Sequence, residues 1–154
     1  MWSSFEGRAF YLDTNIIVYA IEGTNPWSDI LRELFHAIDE RTIHAFTSEL
    51  TVAEVLAKPF ELGAIDLVAT YEELLAPDSL VRVIPIDRPI LRSAAELCGC
   101  MRIKLADAIH VATAMQCACE FMRTNDEQLG RRIQAPLRWL SLSHVAGSAK
   151  ADPK

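Results

Sequence analysis

The sequence has no long hydrophobic run. No stretch of its 154 residues approaches the ~18 uninterrupted apolar residues that a membrane-spanning helix requires. Its first residues, Met-Trp-Ser-Ser-Phe-Glu, also lack the basic region followed by an apolar core that marks a secretory signal. We therefore expect a soluble, cytoplasmic protein without a membrane partner.

Basic residues are outnumbered by acidic ones. The chain has 15 Lys and Arg against 21 Asp and Glu, which gives a formal charge of −6. This balance disfavours broad, sequence-independent attraction to phosphate backbones. Any nucleic-acid substrate must therefore be met by local basic residues or by a bound metal ion.

Cysteine is scarce, and its spacing is unfavourable for zinc. The four cysteines form two C-x-C pairs, Cys98 with Cys100 and Cys117 with Cys119. On a helix, residues two apart point ~200° away from each other, whereas zinc knuckles usually use C-x₂-C. We expect buried, reduced thiols.

The chain does have enough apolar residues for one core. Hydrophobic residues make up 51% and charged residues 23% of the sequence, as in a single domain, which we place at residues 1–142. Residues 143–154 show no periodicity and are expected to form a loose tail.

Strand-like and helix-like segments alternate along the chain. Strands are predicted at 9–12, 43–47, 80–84, 121–124 and 137–142. Helices are predicted at 16–21, 26–40, 48–58, 60–75, 90–101 and 105–119, with a short one ending at 132. This alternation implies right-handed crossovers and an α/β fold, in which helices flank both faces of a mostly parallel sheet.

Asp107 is the only charged residue between positions 105 and 119, a segment otherwise so apolar that its helix should be buried nearly all round. A buried carboxylate costs several kcal/mol unless it is paired, hydrogen-bonded or bound to a metal. Lys104, three residues back, could pair with it. Alternatively, Asp107 faces a site shared with other acids, where a divalent cation supplies the missing charge.

Three further acids follow strands of the predicted sheet. Asp13 follows the first strand, Glu54 lies on the helix after the second, and Asp126 follows the strand at 121–124. Ligands bind α/β sheets at the edge where the strands have their carboxyl ends. Asp107 joins these acids if the first turn of its helix packs at the same edge. Such a cluster would repel itself, and Mg²⁺ or Mn²⁺ would neutralise it.

Each of these acids also has an ordinary structural interpretation. Asp13 and Asp126 precede helices, where Asp is a common N-cap. Glu54 alone is typical of a solvated helix residue, and Glu49 of a first-turn acid favoured by the helix dipole. Independent caps and surface acids need not gather at one edge, however, so their joint placement favours a site.

Four segments carry a family resemblance. They are residues 11–17 (YLDTNII), 47–55 (TSELTVAEV), 105–114 (LADAIHVATA) and 124–126 (TND). In this order they resemble the four motifs of PIN-domain ribonucleases, most of all the VapC-type toxin branch. The resemblance spans about residues 8–142, and no catalytic position departs from the pattern.

The resemblance implies four catalytic residues that also ligate Mg²⁺ or Mn²⁺: Asp13, Glu54, Asp107 and Asp126. It also implies an RNA substrate, a cognate antitoxin partner and a homodimer. Thr124 and Asn15 are candidate supporting residues, although each could equally be structural, as a strand-end hydroxyl and a helix-start residue. An oxygen-only Mg²⁺ site does not need imidazole, so we expect His110 to be a hydrogen-bonded packing residue and not a general base.

Three functions compete at this point. The first is a metal-dependent endoribonuclease, the toxin of a toxin–antitoxin pair. The second is a Mg²⁺-dependent phosphohydrolase, which commonly uses D-x-D after the first strand, but Asn15 replaces the second Asp. The third is a non-catalytic PIN-like module that only binds a partner, which the intact acidic set argues against. Basic residues near the proposed edge are either RNA phosphate contacts or solvated surface charge: Arg102, Lys104, Arg131 and Arg132.

Overall fold

The computed structural model of the protein describes residues 2–23 and 26–143, in which five strands and seven α-helices alternate after a 3₁₀ turn at Trp2–Phe5. The strands are β1 (Ala9–Leu12), β2 (His44–Ser48), β3 (Val81–Ile84), β4 (Phe121–Arg123) and β5 (Arg138–Leu140). The helices are α1 (Thr14–Glu22), α2 (Ser28–Asp39), α3 (Glu49–Glu61), α4 (Ile65–Leu74), α5 (Arg88–Met101), α6 (Leu105–Gln116) and α7 (Glu127–Gly130). The strands form one parallel sheet in the order β3-β2-β1-β4-β5, which confirms the predicted α/β fold.

The central strand β1 is buried on both faces. Phe10 and Leu12 face a core formed with α1 to α4, whereas Tyr11 packs on the opposite face against Val111 of α6 and Met122. This arrangement explains why β1 is a continuous apolar run and not an alternating one, because helices cover both sides of a parallel sheet.

Parallel pairing brings the loops after the strands to one edge. Leu12 pairs with Arg123, and the amide of Asp13 donates to the Arg123 carbonyl at 3.0 Å. The residues that follow β1 and β4 are therefore neighbours. On the other side of β1, α3 begins directly after β2, where the Ser48 hydroxyl caps it by accepting from the Leu50 amide at 3.1 Å.

The predicted end of the helix after Ser48 and the predicted start of the helix that follows it are wrong. The helix after Ser48 does not end before Pro59 but continues to Glu61, because Pro59 lies in the last turn, where its missing N–H removes only one hydrogen bond. The helix predicted at 60–75 begins only at Ile65, because Gly63 adopts a left-handed conformation (φ 64°) and breaks the chain direction.

The burial expected around Asp107 needs a similar correction. Helix α6 is buried continuously only from Ala108 to Ala114, and it ends at Gln116. Asp107 lies in the first turn and is half-buried. Its side chain therefore borders the apolar interior and is not enclosed by it.

The cysteines are buried to different extents. Cys119 is buried, Cys98 and Cys117 are partly buried, and Cys100 is exposed, so the expectation of buried thiols is correct only in part. Burial raises the pKa of the Cys119 thiol to about 12. All but the first residue of the proposed tail lie outside the described residues. In the part of the chain that is described, none of the helices has the length and apolar character to cross a membrane.

Candidate functional site

Asp13 is the most enclosed acid at the carboxyl edge of the sheet. Its residue is 6% exposed, and its oxygens accept three hydrogen bonds. Oδ1 accepts from the Thr14 amide at 2.8 Å, while Oδ2 accepts from the Thr124 hydroxyl at 2.6 Å and from Asn15 Nδ2 at 3.1 Å. The carboxylate thus caps α1, as its position before a helix predicts, and is held in one orientation.

Asn15 and Thr124 connect the start of α1 to the end of β4. Asn15 Nδ2 also donates to the Thr124 hydroxyl at 3.2 Å, and its Oδ1 accepts from the Asn125 amide at 3.2 Å. Both polar groups of the Asn15 side chain are therefore engaged within the protein. The structure brings both predicted supporting residues to Asp13, where they position the carboxylate.

Asp126 lies beside this network and caps α7. One oxygen, Oδ1, accepts from the Gln128 amide at 2.9 Å and the Leu129 amide at 3.0 Å. Its own amide donates to the Thr124 hydroxyl at 3.1 Å. The N-cap interpretation of Asp126 is correct, but it uses a single oxygen, so capping and membership of a site are compatible.

The ring of Trp139 supports Thr124 from behind. The indole N–H donates to the Thr124 carbonyl at 3.0 Å. The ring lies so close to Gly130 that a Cβ there would come within 2.1 Å of it. Only glycine fits at this approach, so Trp139 packs against Gly130 at the end of α7 while it binds Thr124 in the loop before α7.

Asp107 lies close enough to Asp13 and Asp126 for its carboxyl group to interact with their charges. Its pKa is raised, first by burial and then by the carboxylates of Asp13 and Asp126. Lys104 is exposed and exerts the weakest of the influences on this pKa. The mutual effect of the three carboxylates therefore outweighs the Lys104 pairing that the sequence left open.

Glu54 takes part in a different set of contacts. Its Oε1 accepts from the Thr14 hydroxyl at 2.8 Å and lies 2.6 Å from His110 Nε2. The hydrogen bond from His110 holds the Glu54 pKa below its ordinary value. The same imidazole nitrogen is 3.8 Å from Asp13 Oδ1, so His110 places Glu54 beside Asp13.

Sequence reasoning missed the hydroxyl groups around these acids. The Thr14 hydroxyl is 3.3 Å from that of Thr51, which is 2.8 Å from that of Thr47. Thr47 donates to the Leu12 carbonyl at 2.9 Å, at the end of β1. Thr14 is adjacent to Asp13, Thr51 is three residues before Glu54, and Thr47 is four residues before Thr51. This closeness in sequence to the predicted acids is the feature from which they could have been predicted.

The oxygen donors fit a hard divalent cation. Across residues 2–23 and 26–143, no group of three His, Cys, Asp or Glu side chains is arranged to hold a metal ion as it stands. Mg²⁺, however, is commonly held through one or two carboxylates together with waters and substrate phosphates. The Asp107 pKa is raised first by burial and then by the negative charges of Asp13 and Asp126. A cation there would relieve this repulsion.

A cavity of about 790 Å³ opens next to Asp126. It is lined by Asn125, Asp126, Glu127, Gln128, Arg131 and Arg132. Arg131 pairs with Glu127 at 3.0 Å, and Arg132 Nη1 donates to the carbonyls of Met101 and Arg102. Each guanidinium thus presents further N–H donors beside the acidic edge, as phosphate recognition requires.

Comparison with solved structures agrees with this fold. The fold resembles VapBC from Salmonella typhimurium (TM-score 0.69, 18% identity, 88% of this chain and 98% of that one). It also resembles VapBC2 from Rickettsia felis (TM-score 0.65, 19% identity, 86% and 98%) and the sarcin-ricin loop cleaving toxin VapC20 from Mycobacterium tuberculosis (TM-score 0.67, 12% identity, 84% and 98%). A search of curated proteins finds no match.

The sequence itself matches the PIN domain over residues 10–133. This range includes all four candidate acids and every strand except β5. The chain therefore belongs to the PIN-domain family.

Proposed function

We propose that this protein is a Mg²⁺- or Mn²⁺-dependent endoribonuclease of the VapC type, acting as the toxin of a toxin–antitoxin pair. PIN-domain membership supports the nuclease activity. The likeness to the toxin of VapBC complexes and to a toxin that cleaves the sarcin-ricin loop supports the toxin role and the RNA substrate. The proposal includes a cytoplasmic location and a homodimer.

One observation carries the proposal. Asp107 is half-buried, and its pKa is raised first by this burial and then by the carboxylates of Asp13 and Asp126. An arrangement that destabilises its own ionised form is expected where a ligand, and not the fold, provides the compensating charge.

The residues of the proposed active site have different roles. Asp13, Glu54, Asp107 and Asp126 would hold the metal, and a bound Mg²⁺ or Mn²⁺ would supply a more acidic water and positive charge for the phosphate oxygens. Asn15 and Thr124 orient Asp13 through their hydrogen bonds to its Oδ2. Arg131 and Arg132 would bind phosphates of the RNA at the neighbouring cavity.

The geometry argues against a phosphohydrolase that uses an aspartate nucleophile. Both oxygens of Asp13 accept hydrogen bonds from the protein, which lowers their nucleophilicity. Asn15, at the position of the second Asp in D-x-D, is engaged with Asp13, Thr124 and Asn125.

The first prediction is that purified protein, free of any partner, cleaves RNA in the presence of Mg²⁺ or Mn²⁺ and stops when EDTA is added. The physical reason is that the four acids carry negative charge, so they cannot stabilise the reacting phosphate until a cation is bound among them. Cleavage of a structured RNA and of an unstructured one is followed on denaturing gels, with readdition of Mg²⁺ after EDTA as the reversibility control. Undiminished cleavage in chelator contradicts the proposal. Turnover of a phosphate monoester without RNA cleavage supports the phosphohydrolase instead.

The second prediction concerns the antitoxin. Because the chain has a net charge of −6 and the charges of Asp13 and Asp126 disfavour an ionised Asp107, an inhibiting partner should place an Arg or Lys near Asp13 and Asp107. Replacing each basic residue in the C-terminal segment of the antitoxin by Gln should include one variant that restores RNA cleavage. Gln substitutions of basic residues in its N-terminal half are the matched control. The mechanism is wrong if a segment without any basic residue still inhibits fully.

A further inference from the structure

A chain of short contacts runs from the core to Glu54. The Tyr11 hydroxyl is 2.6 Å from His110 Nδ1, and His110 Nε2 is 2.6 Å from Glu54 Oε1. Tyr11 is fully buried and His110 is 1% exposed, whereas the Glu54 side chain is 35% exposed. Two buried residues thus contact a carboxylate that lies at the surface.

The hydrogen-bonding directions in this chain can be assigned. Glu54 is ionised and can only accept, so His110 Nε2 carries the proton of their hydrogen bond. The Tyr11 hydroxyl lies 2.6 Å from His110 Nδ1, and a phenol carries its proton at neutral pH. A phenol that keeps its proton can donate it to Nδ1. Tyr11 therefore favours the tautomer in which Nε2 carries the proton and donates it to Glu54.

Packing alone does not account for this arrangement. An apolar residue at position 110 would fill the interior of α6 without burying two ring nitrogens, each of which needs a partner. Without His110, Glu54 keeps only the Thr14 hydroxyl and regains rotamer freedom at a half-exposed helix position. The imidazole thus restricts Glu54 to the side of the edge where Asp13 lies, 3.8 Å from His110 Nε2.

We propose that Tyr11 and His110 are positioning residues that hold the Glu54 carboxylate in place for the divalent cation, with His110 acting through its Nε2–H and not as a ligand. This inference rests on the proposed function, because it assigns Glu54 to the metal site. Groups that hydrogen-bond to metal ligands orient them, and their loss typically weakens metal affinity or activity by ~10–100-fold.

The test measures Mn²⁺ affinity by electron paramagnetic resonance of the free ion, which does not depend on RNA cleavage. His110→Leu keeps the volume but removes both nitrogens, and it should weaken Mn²⁺ binding by ~10–100-fold. His110→Gln, whose amide can donate from near the Nε2 position, should recover most of this loss. Tyr11→Phe should cause a smaller loss, because it affects Glu54 only through the imidazole.

Thr113→Val is the matched control. Thr113 is buried on the same helix, and its hydroxyl proton is used within that helix, where it donates to the Ile109 carbonyl at 2.7 Å. Its substitution should leave Mn²⁺ affinity unchanged. Thermal unfolding of every variant shows whether it is folded, and if His110→Leu is not, the Gln and Phe variants carry the comparison.

A second readout needs no metal. In the metal-free wild type, ¹⁵N NMR of the His110 ring should show the proton on Nε2, and Tyr11→Phe should shift the population toward Nδ1–H. A ring that is unchanged in Tyr11→Phe overturns the role of Tyr11.

The remaining outcomes separate the two proposals. Wild type that binds Mn²⁺ and cleaves RNA while His110→Leu binds the ion equally well overturns the positioning role alone. Direct ¹⁴N coupling to bound Mn²⁺ that is lost in His110→Leu shows that His110 is a ligand, which also overturns it. Wild type that neither binds Mn²⁺ nor cleaves RNA overturns the proposed function and, with it, this inference.

Discussion

Replacement of Asp13 by Asn is expected to reduce RNA cleavage by more than ~100-fold, since even the partners of metal ligands typically contribute 10–100-fold. The loss should come with reduced stability. Asp13 accepts from Thr14, Asn15 and Thr124, and an amide would turn its NH₂ toward at least one of these donors. A buried donor without its acceptor costs about 1–3 kcal/mol. For a domain of this size, that is a fall in Tm of roughly 2–4 °C per kcal/mol.

Asp87→Asn is the matched control for this variant. Asp87 also caps a helix, accepting from the Ile90 amide at 2.9 Å, and Asn retains that ability. It contacts Gln116 at the end of α6 opposite Asp107, about nine residues or ~13 Å along the helix. Cleavage rates and unfolding curves of both variants are compared at equal Mg²⁺. If Asp13→Asn cleaves RNA as well as Asp87→Asn does, Asp13 is a cap and not part of the active site.

Local chemistry made much of the fold predictable. Asp13, Ser48 and Asp126 each lie between a strand-like run and a helix, and each caps the helix that follows. Gly63 also marks a helix end, so the helix predicted to begin at residue 60, before this glycine, begins too early. Pro59, in contrast, does not end its helix, because a proline in the last turn removes fewer hydrogen bonds than one in the middle of a helix.

The grouping of the candidate acids could be predicted from the sequence, but the hydrogen-bond network around them could not. Topology alone places the residues after β1 and β4 together, which is why Asp13, Thr124 and Asp126 could be grouped. The link from Tyr11 to His110 joins positions 99 residues apart and depends on which face of α6 meets the sheet. No pattern in the sequence gives that rotation. The degree of burial of Asp107 depends on it as well, and so was overestimated.

Substitution of Asp107 by Asn should stabilise the metal-free protein at neutral pH. Burial and the carboxylates of Asp13 and Asp126 raise the Asp107 pKa, so the folded state binds the proton more tightly than the unfolded state does. Stability therefore falls as the pH rises through the ordinary value near 4 to the raised one, and stays reduced above it. Asn removes this penalty. Its advantage should vanish in acid, where the wild-type carboxyl is protonated.

One opposing effect must be weighed. Asp107 lies in the first turn of α6, where the helix dipole favours a negative charge by about 0.3–1 kcal/mol. The direction of the pKa shift shows that burial and repulsion outweigh this attraction. In EDTA, Asp107→Asn should therefore have a higher Tm than wild type, by about 2–4 °C for each kcal/mol gained.

Added Mg²⁺ should make wild type more stable than Asp107→Asn, the reverse of their order in EDTA. A ligand that binds only the folded state stabilises it by RT ln(1 + [L]/Kd), about 2.7 kcal/mol at a hundredfold excess over Kd. Wild type should show this gain, and Asp107→Asn should lose most of it together with RNA cleavage. If Lys104 were the true partner of Asp107, breaking a buried pair would destabilise the protein by about 3–5 kcal/mol, and Lys104→Gln would do the same. Lys104 is exposed, so we expect its substitution to leave the Tm in EDTA nearly unchanged. If Asp107→Asn and Lys104→Gln lose equal stability in EDTA and both are still stabilised by Mg²⁺, then Asp107 is not part of the metal site.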